Sequence, residues 1–400
     1  MKTPVEDEHV IVDVGSVAHG GHCVARVDGR VVFVRHALPG ERVRVRVTER
    51  NRGYWRADVV EVLEASPQRV EPPCRYASEC GGCDLQHVSQ QGQWEWKTRV
   101  LQEQLTRLGG LDAAAVADVT VRPLAGGPLH WRTRMQYAVA DDGRAGLRKH
   151  RSSQVVPIDR CIIATAPIGD CDVLSRDWTG SGVVNVVDSD AELTVYTQRG
   201  RRGRAKVVAG PGTVRHVAFG HEFSHAADGF WQVHPLAADT FVTEVLDAVR
   251  PRNAETCWDL YAGAGLFSAA LADAVGPDGR VIAVESDPRS QTRRNLTDLP
   301  AAEVVAERVE AAVAHLPSPE VVVLDPPRSG ASGEVIAAIA AAARRAICYV
   351  ACDPAALARD VRRLSEAGWS PTRINAFDAF PMTQHFETIV LFEPTSDRAS

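Results

Sequence analysis

From Phe230 to the end of the chain, apolar runs typical of strands alternate with segments of helical periodicity. The strand pattern occurs in TCWDLYA, RVIAVES, VVVLDPP, AICYVAC and TIVLFEP. Strands that are separated by helices pair through crossovers and form a mostly parallel sheet covered on both faces. The sequence therefore predicts a doubly wound α/β domain over residues 230–396, with ligands bound beyond the carboxyl ends of its strands.

The first 65 residues follow a different pattern, in which arginine and valine alternate from Arg42 to Val47. This period of two is typical of a strand with one buried face. Between Arg26 and Arg56 the segment has nine arginines and three acidic residues, interleaved with aromatic residues. We expect a small β-barrel of about five strands over residues 1–65. Its basic face either binds RNA or is simply solvated.

The charge of the whole chain limits where RNA can bind. The 45 Lys and Arg residues are outnumbered by 51 Asp and Glu residues, which gives a net charge of −6, whereas dedicated nucleic-acid-binding domains are strongly basic. Contacts to RNA are therefore expected only at residues 26–56 and at a second basic run, 199–206. The sequence has no apolar run of about 18 residues and no apolar signal core at its start. We expect a cytoplasmic monomer without a membrane partner.

The segment between these regions, residues 66–229, is predicted to be a β-rich central domain, with strand-like runs such as MQYAVA and LTVYTQR. Near its start, residues 93–108 have helical periodicity and precede two glycines, a typical helix end. This helix is a candidate for packing on the C-terminal α/β domain.

Nine cysteines are an odd number for a disulfide framework. Three of them, Cys74, Cys80 and Cys83, crowd into a turn-rich polar loop. In a reducing compartment this crowding indicates a metal or cluster site. The spacing alone does not separate zinc from an iron–sulfur cluster.

The run from Asp259 to Gly265, DLYAGAG, closes a predicted strand and opens a helix, as in nucleotide-binding turns. Glu285 ends the next strand, where a carboxylate can bind ribose hydroxyls. These two features fit either NAD or S-adenosylmethionine (SAM). The dinucleotide fingerprint has a third glycine where this chain has Ser268, which favours SAM.

Three later segments also lie at predicted strand ends. Asp325 precedes two prolines, which form a stiff lip. Cys352 precedes a predicted helix capped by Asp353, and the partial positive charge of that helix end favours a thiolate, although a buried structural cysteine is the alternative. Glu387 and the nearby His385 are either a general base with its support or part of a plain loop.

Together these segments resemble the RNA uracil-5 methyltransferase family, specifically its cluster-containing branch with an N-terminal TRAM domain. The resemblance covers nearly the whole chain: GGHCVARVDGRVVFVRHALPGE, the C-x5-C-x2-C pattern, GFWQVHP, DLYAGAG, AVES, LDPPR, YVACDP and FPMTQHFE occur in the family's order. Two positions depart from it. Leu266 stands where an asparagine is expected beside the cofactor, and Asp353 stands where asparagine is frequent in the family.

The resemblance implies a SAM-dependent enzyme that methylates carbon 5 of an RNA uridine. It implies that Cys352 is the nucleophile and Glu387 the proton-abstracting base. The implied SAM contacts are Gln232, Tyr261, Glu285 and Asp325. The implied ligands of a [4Fe-4S] cluster, with zinc as the alternative, are Cys74, Cys80, Cys83 and Cys161.

The branch layout further implies 23S ribosomal RNA as the substrate, with a tRNA T-loop uridine as the alternative. A methyltransferase of exocyclic amines would need no cysteine at the site, so Cys352 and Glu387 argue against that chemistry. An RNA-binding protein with a degenerate methyltransferase domain remains the alternative from another class of protein.

Overall fold

The computed structural model describes residues 9–190, 192–199 and 203–395. Its N-terminal sheet contains β1 (His9–Asp13), β2 (Val17–Ala18), β3 (His22–Val27), β4 (Arg30–Arg35), β5 (Arg42–Arg50) and β6 (Tyr54–Glu64), in the order β1-β5-β6-β4-β3-β2. The valines at the start of β5 are buried, as the alternation predicts. Strands β1 and β3 also contact each other, so the sheet curls into a small barrel. One strand more than expected is present.

Three elements follow the barrel: α1 (Gln90–Arg107), α2 (Ala113–Val116) and β7 (Val121–Pro123). Helix α1 begins three residues earlier than predicted because Ser89 caps it, its hydroxyl accepting a hydrogen bond from the Gly92 amide (3.2 Å). The helix packs against the C-terminal domain through α9, the helix at Pro354–Glu366.

The central region is rich in antiparallel strands. It contains β8 (Arg134–Val139), β9 (Ala145–Arg148), β10 (Val155–Pro157), α3 (Ala166–Asp170), a 3-10 helix (Asp172–Ser175), β11 (Val183–Asp188), β12 (Leu193–Gln198), β13 (Lys206–Ala209), β14 (Thr213–Ala218) and β15 (His221–Ala226). Six of the strands form one sheet in the order β10-β9-β8-β11-β12-β13, and β14 and β15 form a separate hairpin. Residues 200–202 of the second basic run lie outside the described residues.

The C-terminal domain alternates strands and helices. Its elements are α4 (Ala237–Val249), β16 (Thr256–Leu260), α5 (Leu266–Val275), β17 (Arg280–Val284), a 3-10 helix (Pro288–Ser290), α6 (Thr292–Asn295), β18 (Ala302–Val305), α7 (Val309–Ala312), β19 (Val321–Leu324), α8 (Gly333–Ala342), β20 (Ala346–Ala351), α9, β21 (Trp369–Asp378) and β22 (Glu387–Pro394). The eight-stranded sheet has the order β18-β17-β16-β19-β20-β22-β21-β7. Strands β16 to β20 pair in parallel, and β22 is antiparallel to both neighbours.

The multidomain α/β architecture predicted from the sequence is confirmed, with two differences. Strand β7, which lies in the segment assigned to the central domain, instead adds an edge strand to the C-terminal sheet by pairing with β21. Strands β18 and β21 were not predicted, because short or half-buried strands carry little periodic signal.

One hydrophobic core joins the barrel to the C-terminal domain. It runs from barrel valines such as Val34 and Val45, through Trp96 and Leu101 of α1, to one face of the large sheet, including Trp258. Burial of each such large side chain stabilises the fold by about 1.5–3 kcal/mol. The barrel is therefore packed onto the catalytic domain. Among the described helices, none is both long and apolar enough to cross a membrane.

Candidate active site

The glycine-rich turn after β16 has a backbone that ordinary side chains disfavour. Gly265, the N-cap of α5, has φ +91°, and a Cβ added there would lie 3.0 Å from the side chain of Leu296. Tyr261, at the start of the turn, also has a positive φ of 63°. Glycine is required at position 265 by conformation and by packing, which leaves the turn open toward the carboxyl edge of the sheet.

Glu285, directly after β17, holds this turn in place. Its Oε2 accepts a hydrogen bond from the Gly263 amide at 2.9 Å, and its Oε1 accepts one from the Asp287 amide at 2.6 Å. The carboxylate thereby joins the ends of β16 and β17. Each carboxylate oxygen retains a lone pair for a further donor, such as the ribose hydroxyl that the sequence predicts.

Three carboxyl groups lie where the strands end: the buried Asp259 in β16, the half-buried Asp325 after β19, and the buried Glu387 at the start of β22. Burial, together with the neighbouring Asp259, raises the pKa of Asp325 to about 7. Burial, together with Asp325, raises the pKa of Glu387 well above its usual value. Such a group of acids favours a ligand that brings positive charge.

Asp259 was not predicted as a site residue, although the signal was present in DLYAGAG. Burial raises its pKa to about 7, and its Oδ2 accepts a hydrogen bond from the Ser268 hydroxyl. Its Oδ1 is buried and has no partner among the described residues. Ser268, which the sequence showed only as the absence of a third glycine, thus satisfies one oxygen of this fully buried acid.

The register of two neighbouring strands places Cys352 beside Glu387. Ala351 pairs with Thr388 in the antiparallel β20 and β22, so Cys352 and Glu387 are the next residues beyond that pair. Residues opposite each other in such strands have Cα atoms about 5 Å apart. The predicted nucleophile and base therefore belong to adjacent strand ends, although 34 residues of sequence separate them.

The helix start after Cys352 has the predicted form, but other groups around the thiol act against the effect of the helix end. Asp353 caps α9, its Oδ1 accepting hydrogen bonds from the Ala355 and Ala356 amides (3.1 and 2.8 Å), and Pro354 is the first helical residue. The pKa of Cys352 is nevertheless raised to about 12, first by burial and then by Glu387 and Asp325. These effects outweigh the helix end.

Arg328 was not predicted as a site residue, and its positive charge partly offsets the negative charge of the acidic groups. Its positive charge acts to lower the pKa of both Cys352 and Glu387. Burial and, to a smaller extent, Arg328 lower the pKa of His385 to about 4, so this imidazole is neutral at physiological pH. The signal for Arg328 was its place in LDPPR, directly after the proline lip.

One cavity of about 720 Å³ brings the predicted residues together. Its lining includes Gln232, Tyr261, Glu285, Asp325, Cys352 and Glu387. Arg328, His385 and the strongly exposed Phe230 line it too. Its size and its acidic lining residues fit SAM, which carries a sulfonium and an ammonium group.

The four predicted cysteine ligands line a second cavity of about 460 Å³. All nine cysteines of the chain are free thiols. Among the described residues, no three His, Cys, Asp or Glu side chains are grouped as ligands of one metal ion. Four arginines and no acidic residue lie in the lining of this cavity, namely Arg132, Arg148, Arg160 and Arg328.

The two cavities share a wall formed by Arg132, Arg328, Gly81 and Gly82. Arg132 is half-buried near the thiols of Cys161 and Cys83, and its Nε donates a hydrogen bond to the Arg134 carbonyl at 3.1 Å. The loop that carries Cys80 and Cys83 is therefore part of the active-site wall.

On the barrel, the basic and aromatic side chains interleave as predicted. The guanidinium groups of Arg30 and Arg50 lie over the ring of Trp55, at 4.8 and 4.6 Å from its centroid. Arg44 pairs with Glu61, so part of the basic run is already neutralised within the barrel.

Comparisons with known proteins agree with this architecture. The TRAM domain family matches residues 8–60, and the family described as tRNA (Uracil-5-)-methyltransferase matches residues 307–395. A protein of Streptomyces avermitilis, named an uncharacterized RNA methyltransferase, is 42% identical over 97% of this chain and 99% of its own. One of Bifidobacterium longum with the same description is 37% identical over 94% of both chains.

Among solved structures, the tRNA (uracil-54, C5)-methyltransferase of Pyrococcus abyssi, in complex with S-adenosyl-L-homocysteine, matches with a TM-score of 0.69. The match covers 95% of this chain and 99% of that one at 20% identity, which establishes a shared fold.

The open α/β sheet, the glycine turn and the cavity at the strand ends define a SAM-dependent methyltransferase that carries an N-terminal TRAM domain. Its relatives over nearly the full length are RNA methyltransferases. The chain belongs to the RNA uracil-5 methyltransferase family.

Proposed function

We propose that this protein methylates carbon 5 of a specific uridine in RNA, with Cys352 as nucleophile and Glu387 as base. The observation that carries the proposal is the pairing of Ala351 with Thr388, which sets a thiol and a buried carboxyl group at neighbouring strand ends. Both line the cavity that also contains the candidate SAM contacts. A protein that only binds RNA does not need a thiol and a carboxyl group side by side.

The reaction follows from the chemistry of the ring. Carbon 5 of uracil is a weak nucleophile, but addition of the Cys352 sulfur, as thiolate, to carbon 6 creates an enolate that is nucleophilic at carbon 5. SAM, when bound, supplies the methyl group to that carbon. Glu387 then removes the hydrogen of carbon 5 as a proton. The electron pair of the broken C–H bond restores the double bond and expels the thiolate.

The raised pKa values fit these roles once the cavity is filled. A carboxylate with a raised pKa is a stronger base, which suits Glu387 for proton removal. The Cys352 thiol needs positive charge nearby in order to ionise, and Arg328 provides it from the cavity wall. The positive charge of bound SAM would act in the same direction.

Within this proposal Gln232, Tyr261, Glu285 and Asp325 hold SAM. Asp325 and Glu285 accept hydrogen bonds, the nearly buried Gln232 contributes an amide, and Tyr261 offers its ring at the turn. Their positions around one cavity support the assignment. Because the target base is stacked within folded RNA, it must be flipped out to reach Cys352.

We further propose that Cys74, Cys80, Cys83 and Cys161 bind a [4Fe-4S] cluster. The support is a soft four-thiol donor set around one cavity whose other charged lining residues are all arginines, which suits an anionic group. A cluster binds one thiolate at each of four irons, so its ligands surround a larger volume than those of one zinc ion. Its role is structural: it would join the loop of Cys80 to the central domain at Cys161.

Metal analysis of anaerobically purified protein tests this assignment. We expect about four irons per chain, with loss of iron in Cys83→Ala. Stoichiometric zinc without iron would instead support the zinc alternative.

For the substrate we propose large-subunit ribosomal RNA. The support is the layout of the chain, a TRAM domain and a four-cysteine site attached to the methyltransferase domain. Transfer RNA is the second candidate, because the matching family and the P. abyssi structure are both named for tRNA.

Incubation with labelled SAM and unmodified total RNA, fractionated by size and followed by nucleoside analysis, tests the function and the substrate together. We expect 5-methyluridine in the large ribosomal RNA and none with Cys352→Ala. Cys171→Ala is the matched control, since this half-buried cysteine lines neither cavity. Label in the tRNA fraction would change the proposed substrate to tRNA and leave the proposed reaction as it stands. Unlabelled RNA despite bound SAM would support the degenerate RNA-binding protein.

A further inference from the structure

The barrel reaches the active site through one tight turn, His19–Gly21, between β2 and β3. Gly21 has φ +73°, and a Cβ added there would lie 2.9 Å from the Asp84 Cβ and 3.4 Å from the Gln384 Cβ. Any larger residue would push the turn away from these neighbours. The turn is therefore fitted closely against the cysteine loop and against the loop that precedes Glu387.

The same turn also reaches the segment of the nucleophile. The His19 Nε2 lies 3.5 Å from Oδ2 of Asp353, the residue directly after Cys352. The other oxygen of that carboxylate, Oδ1, caps α9. The carboxylate of Asp353 is thus shared between the catalytic domain and the barrel.

We propose that His19 is a positioning residue for Cys352, through which the barrel completes the active site. This inference rests on the proposed function of Cys352. The negative charge of Asp353 opposes thiolate formation on its neighbour. A hydrogen bond from His19 Nε2–H to Oδ2 draws part of that charge away and fixes the carboxylate in the rotamer that caps α9.

This role depends on the charge of residue 353. An asparagine there could cap α9 through its amide oxygen, and a neutral amide needs no partner to offset a charge. The aspartate of this chain keeps the capping oxygen but adds a charge, and a barrel histidine lies where it can balance that charge. The pairing of His19 with Asp353 is thus expected to matter only while residue 353 is an acid.

The test is a double-mutant cycle with His19→Ala and Asp353→Asn. The readouts are kcat, KM for RNA, and the rate of covalent complex formation with 5-fluorouridine RNA. We expect His19→Ala to slow complex formation and kcat by about tenfold while KM changes less than about twofold. In the Asp353→Asn background, His19→Ala should change the rate less than about twofold. His19→Gln, whose amide can donate in place of Nε2, should recover most of the rate.

The matched control is His315→Ala, which removes an exposed histidine that pairs with a carboxylate, Glu307, away from the cavity. An increase in KM alone, or an equal rate loss in both backgrounds, would overturn the inference and leave His19 as an RNA contact or a structural residue. If the proposed function is wrong, neither the wild type nor any variant forms the covalent complex. If only this inference is wrong, the wild type still forms it.

Discussion

At the level of single residues, the site contains acidic groups whose negative charges repel one another when they are ionised. Asp325 and Glu387 line one cavity, the fully buried Asp259 raises the pKa of Asp325, and Asp325 in turn raises the pKa of Glu387. Arg328 balances this charge only in part. This repulsion lowers the stability of the free protein, and binding of a cationic ligand restores that stability.

Asp325→Asn should stabilise the free protein in a pH-dependent way. The pKa of Asp325 is about 7 in the folded state, against about 3.9 when unfolded, so the folded state retains a proton over this range. Stability contributed by this residue therefore falls as pH rises from 4 to 7. The gain from the variant, measured by chemical unfolding, should be larger at pH 8 than at pH 5 by about 2 kcal/mol. An equal gain at both pH values would contradict the burial argument.

Glu387→Gln should trap the reaction after methyl transfer. The amide cannot remove the proton of carbon 5, so the bond from Cys352 to carbon 6 persists. We expect turnover to fall by about 100- to 10,000-fold and a covalent RNA–protein complex to accumulate on denaturing gels. Glu393→Gln, at an exposed position of the same strand, is the control. Loss of turnover without a complex would place Glu387 before the addition step.

At the level of elements, α1 positions the loop that leads to Glu387. Lys97 is fully buried, and its Nζ donates to Oδ1 of Asp378 at 2.5 Å and to the Phe380 carbonyl at 3.2 Å. One turn earlier, the Gln93 side chain accepts a hydrogen bond from the Met382 amide at 2.9 Å. A helix far away in the sequence thus determines the path of the base loop.

Lys97→Met should be strongly destabilising, because it leaves Asp378 buried without its partner. We expect a loss of about 3–5 kcal/mol in the free energy of unfolding. Lys97→Met combined with Asp378→Asn should lose less than Lys97→Met alone, since no charge then remains unpaired. Lys149→Met, at a half-buried lysine paired with the exposed Glu79, should change stability by no more than about 1 kcal/mol.

From the sequence we could predict the site residues that lie at strand ends. Few of the contacts that depend on tertiary packing could be predicted in this way. DLYAGAG, LDPPR and YVACDP each follow a buried strand, so the rule for parallel sheets places Asp325 and Cys352 at one edge. The contact of His19 with Asp353 joins residues that are distant in the chain, and no local pattern encodes it. The raised pKa of Cys352 likewise comes from burial among acids brought together by the fold.

At the level of the whole molecule, charge is distributed unevenly. The chain has a net charge of −6, whereas its nine arginines between Arg26 and Arg56 exceed the acidic residues there by six. Burial alternates along β5, which leaves Arg46 exposed on the outer face of the barrel. RNA approaching the protein is therefore attracted to one domain and repelled by most of the remaining surface.

Removal of exposed barrel arginines should weaken RNA binding in a salt-dependent way. For Arg46→Ala and for Arg52→Ala we expect the slope of log K against log salt to decrease by about 0.7 each, the value for one phosphate contact on a single strand, with kcat unchanged. Arg362→Ala, at an exposed arginine on α9 that pairs with Glu366, should leave the slope unaltered. Titrations at several salt concentrations measure this, and unchanged slopes for both barrel variants would remove the barrel face from the RNA path.

The close fit of the His19–Gly21 turn against the catalytic loops fixes the distance between the barrel and Cys352. A recognition domain on a flexible linker reaches targets over a range of separations. A barrel that is packed in place allows only one separation, so we expect it to measure length along an RNA bound to it. We therefore expect a uridine that is moved by one nucleotide relative to the bases on the barrel to lie outside the cavity, whatever its own sequence context.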